Sequence, residues 1–209
     1  MKKIKDKLIT IYPQLIFLIV TFCIFMPASL FLGNLDEFAV GFTALIPLLM
    51  AASLITAAVV ILIGLIVPKK ICNIYAAVIF GGALAAYVQG NFLNPDFGVL
   101  NGRQIQWSQF RVNAIISTVL WIVLIVVPAV VVCFKKDIMT KIMKWGSLFL
   151  SSIQVVTLVV LIVSSKRSVD YSYVVTKNDE FALSSQGNVV VFIVDTLDND
   201  DAQNYVIDR

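Results

Sequence analysis

Long apolar runs recur through the first 163 residues, and they constrain the fold more than any other feature of this sequence. The runs cover about Ile11 to Leu32, Phe42 to Val67, Ile71 to Val88, Val112 to Phe134 and Trp145 to Val163. An α-helix needs about 20 apolar residues to cross the hydrocarbon core of a bilayer. Of the 209 residues, 59% are hydrophobic and 14% charged, whereas soluble domains are roughly 45–50% apolar. The sequence therefore predicts an all-α polytopic membrane bundle of about five transmembrane helices over residues 1–163.

The second and third runs differ in how they connect and in their side chains. Only Pro68, Lys69 and Lys70 separate them, so we predict a tight helical hairpin. The third run is rich in small residues between Ala76 and Ala86. Small residues let helix backbones approach closely in lipid, where no hydrophobic force drives helices together. We therefore expect the third helix to pack inside the bundle.

Lysines mark one side of the predicted membrane domain. Ten of them lie at the N-terminus, in the hairpin and between the fourth and fifth runs: Lys2, Lys3, Lys5, Lys7, Lys69, Lys70, Lys135, Lys136, Lys141 and Lys144. In the loops after the first and third runs, the only basic residues are Arg103 and Arg111. The positive-inside rule then predicts a cytoplasmic N-terminus and an extracytoplasmic C-terminus. We expect the fifth helix to begin near Trp145, with this tryptophan at the interface.

Charge and residue content argue against several function classes. The net charge is only +3, which gives no reason to expect nucleic acid as a partner. The three cysteines lack a CxxC spacing and the chain has no histidine, so a zinc site or disulfide framework is not expected. For Gln14, Gln89 and Gln154, in or beside the runs, we expect interhelical hydrogen bonds or interfacial positions rather than a substrate path.

The last part of the chain has a different character. Residues 164–187 are polar and mixed, typical of an extracytoplasmic linker. Asn188 to Val194 read NVVVFIV, a β-branched run between Gly187 and Asp195, which is typical of a buried strand in a parallel sheet. A capped helix start follows within Asp198 to Arg209. Because one such strand cannot bury its apolar surface alone, we expect residues 188–209 to be the first strand and the start of an incomplete α/β domain that continues beyond Arg209.

Asp195 is the residue that we expect to bind a metal ion. Ligands bind outside the carboxyl ends of strands in open α/β sheets, and Asp195 follows the predicted strand directly. Thr196 and the aspartates between Asp198 and Asp201 could add ligands or hydrogen bonds to a phosphate or sulfate oxygen. The alternative is that Asp195 caps the following helix and that the later aspartates form a solvated turn.

Residues 181–198, FALSSQGNVVVFIVDTLD, resemble the first strand of the alkaline phosphatase and sulfatase superfamily. Multi-span members such as lipoteichoic acid synthases and phosphoethanolamine transferases have five helices followed by an external catalytic domain. The loop from Gln89 to Trp107 also resembles a loop of sulfatase-like membrane proteins from Gram-positive bacteria. The resemblance implies that Asp195 is the first-strand ligand of a divalent metal ion. It further implies a Thr, Ser or Cys nucleophile, with more Asp and His ligands, beyond Arg209.

The resemblance implies a hydrolase or transferase that acts on phosphate or sulfate esters at the outer face of the plasma membrane. Its partners would be the lipid bilayer and a lipid-linked or cell-envelope polymer substrate. Residues 1–209 alone are expected to be inactive and to hold no metal ion stably. The alternative is a non-enzymatic multi-pass membrane protein, either a transport component or an assembly scaffold. No apolar run carries a charged residue near its middle, which argues against transport.

Overall fold

The computed structural model describes residues 2–35, 38, 41–95 and 107–165. The predicted strand at Asn188 to Val194, the helix start after it and the linker from residue 166 onward lie outside the described residues. These parts of the predicted fold therefore stay predictions. The membrane domain, by contrast, is described for nearly all of its length.

Five helical stretches are long and apolar enough to cross a membrane, as expected for a multi-pass membrane protein. The first span consists of α1 (Lys2–Leu18), a π-helical segment (Ile19–Phe25) and α2 (Met26–Gly33). The other helices are α3 (Ile46–Ile66), α4 (Cys72–Phe92), α5 (Arg111–Phe134) and α6 (Lys136–Ser164). Short 3-10 turns at Phe42–Leu45 and Trp107–Phe110 lead into α3 and α5. The prediction of five membrane-length helices is confirmed.

The first span departs from regular α-helix at two places. Pro13 lies inside α1. Because proline has no amide hydrogen, the carbonyl of Ile9 does not receive the backbone hydrogen bond that residue 13 would otherwise donate. The segment Ile19–Phe25 forms a π-helix, and at its end the amide of Met26 donates to the carbonyl of Thr21, five residues earlier. Such wide turns occur mostly as local insertions in α-helices and often lie at functional positions.

The five spans divide into inner and outer helices. The first span and α4 are the inner helices: nine residues of α4 are buried, among them Ala76, Ala77 and Ala83. The outer helices are α3, α5 and α6; in α3 only Val60 and Gly64 are buried. Many large apolar side chains of the outer helices are exposed. Because soluble proteins do not expose apolar surface on this scale, these surfaces are suited to contact lipid.

Small residues of α4 permit a close approach to α5. A methyl group added at Gly81 would lie 2.7 Å from the Cα atom of Ile125 and would also overlap the carbonyl oxygen of Leu124. At Gly82 an added methyl group would meet no atom within 4 Å. The backbones of α4 and α5 therefore pack at Gly81 with no room for a side chain. The prediction that the third apolar run packs inside the bundle is confirmed.

The connection between α3 and α4 is the predicted tight hairpin, since α3 ends at Ile66 and α4 begins at Cys72. Lys7 of the first span stabilises it: its ammonium group donates to the carbonyl of Leu65 at 2.8 Å and to that of Val67 at 2.6 Å. The last carbonyls of a helix have no intrahelical partner, and a lysine ammonium satisfies them and interacts favourably with the helix dipole.

The fifth helix begins earlier than the sequence predicts. It starts at Lys136 rather than near Trp145, and it runs without interruption to Ser164. Met139, Met143 and Ser147 recur at every fourth position and are 7%, 1% and 0% exposed. This stripe packs on the bundle while the intervening lysines remain exposed, so the helix is amphipathic at its start. The helix of the first span likewise begins at Lys2, before the apolar run that starts at Ile11.

The lysines of α1, of the hairpin and of the start of α6 lie at one end of the bundle, which we call the lysine face. Asp6 of α1, Lys69 of the hairpin and Lys136 of α6 line a single cavity there. The opposite end, the far face, holds the ends of α2 and α6, where the Ser165 hydroxyl donates to the carbonyl of Leu32 at 3.4 Å. The five helical spans therefore lead from the lysine face to the far face.

Candidate functional site

The predicted metal site at Asp195 lies outside the described residues, together with Thr196 and the aspartates that follow. The assignment of Asp195 as a metal ligand therefore stays a prediction. Within residues 2–35, 41–95 and 107–165, no group of three or more His, Cys, Asp or Glu side chains comes together. The described part of the chain offers a different feature, an open cavity lined by lysines.

The cavity opens at the lysine face and has a volume of about 360 Å³. Three segments that are distant in sequence form its walls: α1, the α3–α4 hairpin and the first turns of α6. They contribute five lysines, namely Lys7, Lys69, Lys136, Lys141 and Lys144, and one carboxylate, Asp6. We call this feature the lysine cavity. Its lining carries an excess of positive charge, so the field inside it favours anions.

The five lysines are not equivalent. Lys7 is engaged with the end of α3, as described above. Lys69 lies 2.9 Å from a carboxylate oxygen of Asp6, with the two side chains 61% and 45% exposed, and such an exposed ion pair is weak. This pair is the only ion pair among the described residues. Lys136, Lys141 and Lys144 of α6 therefore have no carboxylate partner there, although the Lys144 ammonium lies 5.6 Å from the centre of the Trp145 ring.

The inner wall of the lysine cavity is buried and neutral. Gln14, Cys72 and Met143 line it and are 2%, 3% and 1% exposed. With its amide nitrogen turned toward α1, Gln14 donates to the carbonyls of Thr10 at 2.7 Å and Ile11 at 3.2 Å. Gln14 thus bonds to its own helix rather than across helices. The cavity combines a cationic rim with a wall of neutral polar and apolar groups.

A second polar feature lies deeper in the bundle. The Thr21 hydroxyl and the Gln154 side-chain amide lie within hydrogen-bonding distance of each other, at 3.0 Å from the amide nitrogen and 3.2 Å from its oxygen. Both side chains are buried, with exposures of 0% and 1%. Likewise, the Trp121 indole N–H donates to the side-chain amide oxygen of Gln89 at 3.3 Å. The predicted interhelical hydrogen bonds of Gln89 and Gln154 are confirmed, and both groups connect an inner helix to an outer one.

Sequence reasoning missed the lysine cavity because it explained the lysines by membrane orientation alone. One signal in the sequence could have revealed the wall of the cavity that α6 contributes. Lys136, Thr140 and Lys144 are spaced by four residues, which places them on one face of a helix. The convergence of α6 with α1 and the hairpin, however, depends on tertiary packing.

The similarity of this chain to known proteins was tested at three levels. Comparison with protein families, with curated proteins and with solved structures finds no match. The resemblance of residues 181–198 to the sulfatase superfamily thus stays a sequence-based prediction.

Proposed function

We propose that the five helices anchor a sulfatase-like hydrolase or transferase domain, beginning near Gly187, at the outer face of a bacterial plasma membrane. One observation carries this proposal: the strand-like run NVVVFIV ends in Asp195 and follows an odd number of membrane-length helices. Because α6 ends at the far face, a segment that follows it starts on the side opposite the lysine face. The odd number of membrane-length helices thus supports an extracytoplasmic position for the proposed domain.

The orientation follows from the distribution of basic residues. The lysine face carries the lysine-rich segments around Lys7, Lys69 and Lys136, and lysine-rich short segments stay in the cytoplasm. The far face is then the outer face. The helices would hold the catalytic domain close to a lipid-linked or cell-envelope polymer substrate, and their contribution to the reaction is a raised local concentration.

The proposed chemistry is the displacement of a phosphate or sulfate ester. A divalent metal ion would supply positive charge that stabilises the charge developing on the transferred group. In this chain Asp195 is the residue proposed to bind that ion, because a carboxylate is a suitable ligand for hard and borderline cations. The nucleophile is expected beyond Arg209, and Thr196 is too close to Asp195 to take that role.

The topology can be tested by cysteine labelling in whole cells. Cys23, Cys72 and Cys133 are first replaced by serine, and single cysteines are then introduced as Ser185→Cys or Lys70→Cys. We expect a membrane-impermeant maleimide to label Ser185→Cys in intact cells and Lys70→Cys only after permeabilisation. Labelling of Ser185→Cys only after permeabilisation would overturn the proposal.

The enzymatic part is tested on the protein produced from its own gene. We expect the reading frame beyond codon 209 to encode a Thr, Ser or Cys nucleophile and further Asp and His residues. In that protein, Asp195→Asn should abolish metal-dependent hydrolysis of a phosphodiester probe, whereas Asp170→Asn in the predicted linker should retain it. A stop codon directly after codon 209, or full activity of Asp195→Asn, would refute the enzymatic proposal.

The rival hypothesis is a transport component or an assembly scaffold. It predicts that the helices alone have an activity or bind a partner protein. A transport assay on the 209-residue chain in proteoliposomes distinguishes a transport component from an anchor, because an anchor should show no flux above empty vesicles.

A further inference from the structure

The lysine cavity has a feature that membrane orientation does not explain. Orientation requires only that lysines lie on one side of the membrane. Here lysines from three separate segments surround one concave space, although like charges repel each other when they are brought together. A basic pocket between transmembrane helices is the arrangement that binds anionic lipid head groups. The convergence of these lysines therefore favours an anionic ligand.

The backbone adds to the positive field in the cavity. Cys72 and Asn73 are the first two residues of α4, Lys136 is the first residue of α6, and all three line the cavity. The first amide groups of a helix have no intrahelical acceptor, and the helix dipole favours negative charge at that end. Two helix starts and three lysines without carboxylate partners among the described residues thus surround the same space.

The size and the walls of the cavity agree with a phosphate-bearing head group. Its volume of about 360 Å³ lies within the roughly 300–1,000 Å³ of small-molecule pockets. Thr10, Asn73 and Thr140 line it as well, and their hydroxyl and amide groups can hydrogen-bond the hydroxyls of a head group. A phosphate would lie near the lysines while the rest of the head group contacts neutral side chains.

Apolar surface beside the cavity favours a lipid over free phosphate. Ile9 lines the cavity, and both Ile9 and Tyr12 of α1 are 62% exposed. Acyl chains of a lipid whose head group occupies the cavity could lie along this surface toward the apolar part of the span. Free phosphate would make no use of it.

We infer that the lysine cavity binds the phosphate group of an anionic phospholipid in the leaflet at the lysine face. The α6 lysines contribute most of the attraction, because the Lys7 ammonium is hydrogen-bonded to the end of α3 and Lys69 is paired with Asp6. The site would be the same whichever domain follows α6. A lipid bound there would join α1, the hairpin and α6 at their common end.

Native mass spectrometry of the detergent-solubilised 209-residue chain tests this site. We expect one dioleoyl-phosphatidylglycerol to bind per chain and to be preferred over dioleoyl-phosphatidylcholine. The double substitution Lys141→Gln/Lys144→Gln should weaken phosphatidylglycerol binding about 25-fold, taking about fivefold for each lysine near an anionic lipid. Thr140→Phe, which fills the cavity without changing the charge, should also abolish the preference.

The matched control is Lys70→Gln/Lys135→Gln. These two lysines are exposed near the same face but do not line the cavity, so the control removes the same charge and should change binding less than about twofold. If both double variants lost phosphatidylglycerol binding equally, the lipid would be attracted to the lysine face in general, and the assignment of the cavity as the binding site would be wrong. Circular dichroism and thermal unfolding establish that each variant is folded.

A separate titration with inorganic phosphate identifies the source of the ligand. If phosphate binds with the same dependence on Lys141 and Lys144 while phosphatidylglycerol and phosphatidylcholine bind equally, the cavity is a phosphate site and the lipid assignment is wrong. If phosphate at millimolar concentration does not displace phosphatidylglycerol, the lipid assignment holds.

Discussion

Helices α3 and α4 are each 21 residues long and carry no charged residue, yet they occupy opposite environments. α3 is rich in Leu, Ile and Val and faces outward, whereas α4 is rich in Ala and Gly and lies inside. In water the more apolar helix would be buried. In lipid the surroundings are as apolar as leucine, so close packing and hydrogen bonds decide which helix lies inside. The inner position of α4 follows from the size of its side chains.

The largest expected effect comes from adding a methyl group to the inner helix. Gly81→Ala should lower the free energy of unfolding by about 3 kcal/mol, the upper end for overpacking, because the obstacle is the backbone of α5 at Leu124 and Ile125. The measurement is thermal unfolding in detergent, followed by a thiol-reactive fluorophore that reaches the buried Cys23 and Cys72 only when the bundle opens. The exposed Cys133 is replaced by serine beforehand.

The neighbouring glycine provides the matched control. Gly82→Ala makes the same chemical change on the same helix, but an added methyl group there meets no atom within 4 Å. Gly82→Ala should leave the free energy of unfolding unchanged or raise it by up to about 1 kcal/mol, since alanine has a higher helix propensity than glycine. Equal destabilisation by both substitutions would mean that close approach to α5 does not determine the position of α4.

A smaller effect is expected where an outer helix is hydrogen-bonded to an inner one. Gln154→Leu removes the bond between α6 and Thr21 and leaves a buried hydroxyl without its partner, which should cost about 1 kcal/mol, within the range measured for such bonds in membranes. A double-mutant cycle with Thr21→Val isolates the pair. Additive effects of the two substitutions would show that the bond contributes nothing.

The bond from Lys7 to the end of α3 tests how the first span holds an outer helix. Lys7→Met should lower the free energy of unfolding by about 0.5–1 kcal/mol, because the carbonyls of Leu65 and Val67 lose a cationic donor at a helix C-terminus. Lys70→Met, at an exposed position in the same hairpin, is the control. Both are measured without anionic lipid, so that the lysine cavity does not contribute.

The smallest effect is expected on the outer surface. Leu54 of α3 is 69% exposed, and lipid can fill the space left by Leu54→Ala, so stability should change by less than about 0.5 kcal/mol. Ile79→Ala removes a comparable group from α4 at a position 8% exposed and leaves a void, which should cost about 2 kcal/mol, the low end for Ile→Ala in a core. Similar costs for the two substitutions would contradict the division into inner and outer helices.

The sequence predicted those features of the membrane domain that depend on local composition. Runs of apolar residues located all five helices, and the alanines and glycines of α4 predicted its inner position. The start of α6 was placed too late, because its lysines lower the average hydropathy of a segment in which one face is apolar. The stripe of Met139 and Met143, four residues apart, was the overlooked signal.

The candidate site could be predicted only in part. The lysine cavity requires α1, the hairpin and α6 to meet, and no single stretch of sequence encodes that meeting. Asp195 was chosen because it follows a strand-like run, and its role remains a prediction that the labelling and activity experiments test.

The bond between Ser165 and Leu32 has a consequence for anything joined to the end of the membrane domain. α6 therefore ends beside the end of the first span, an inner helix. A fused reporter or a downstream domain would start next to this inner helix. The sides of α3 and α5 would stay accessible for lateral association with neighbouring membrane proteins.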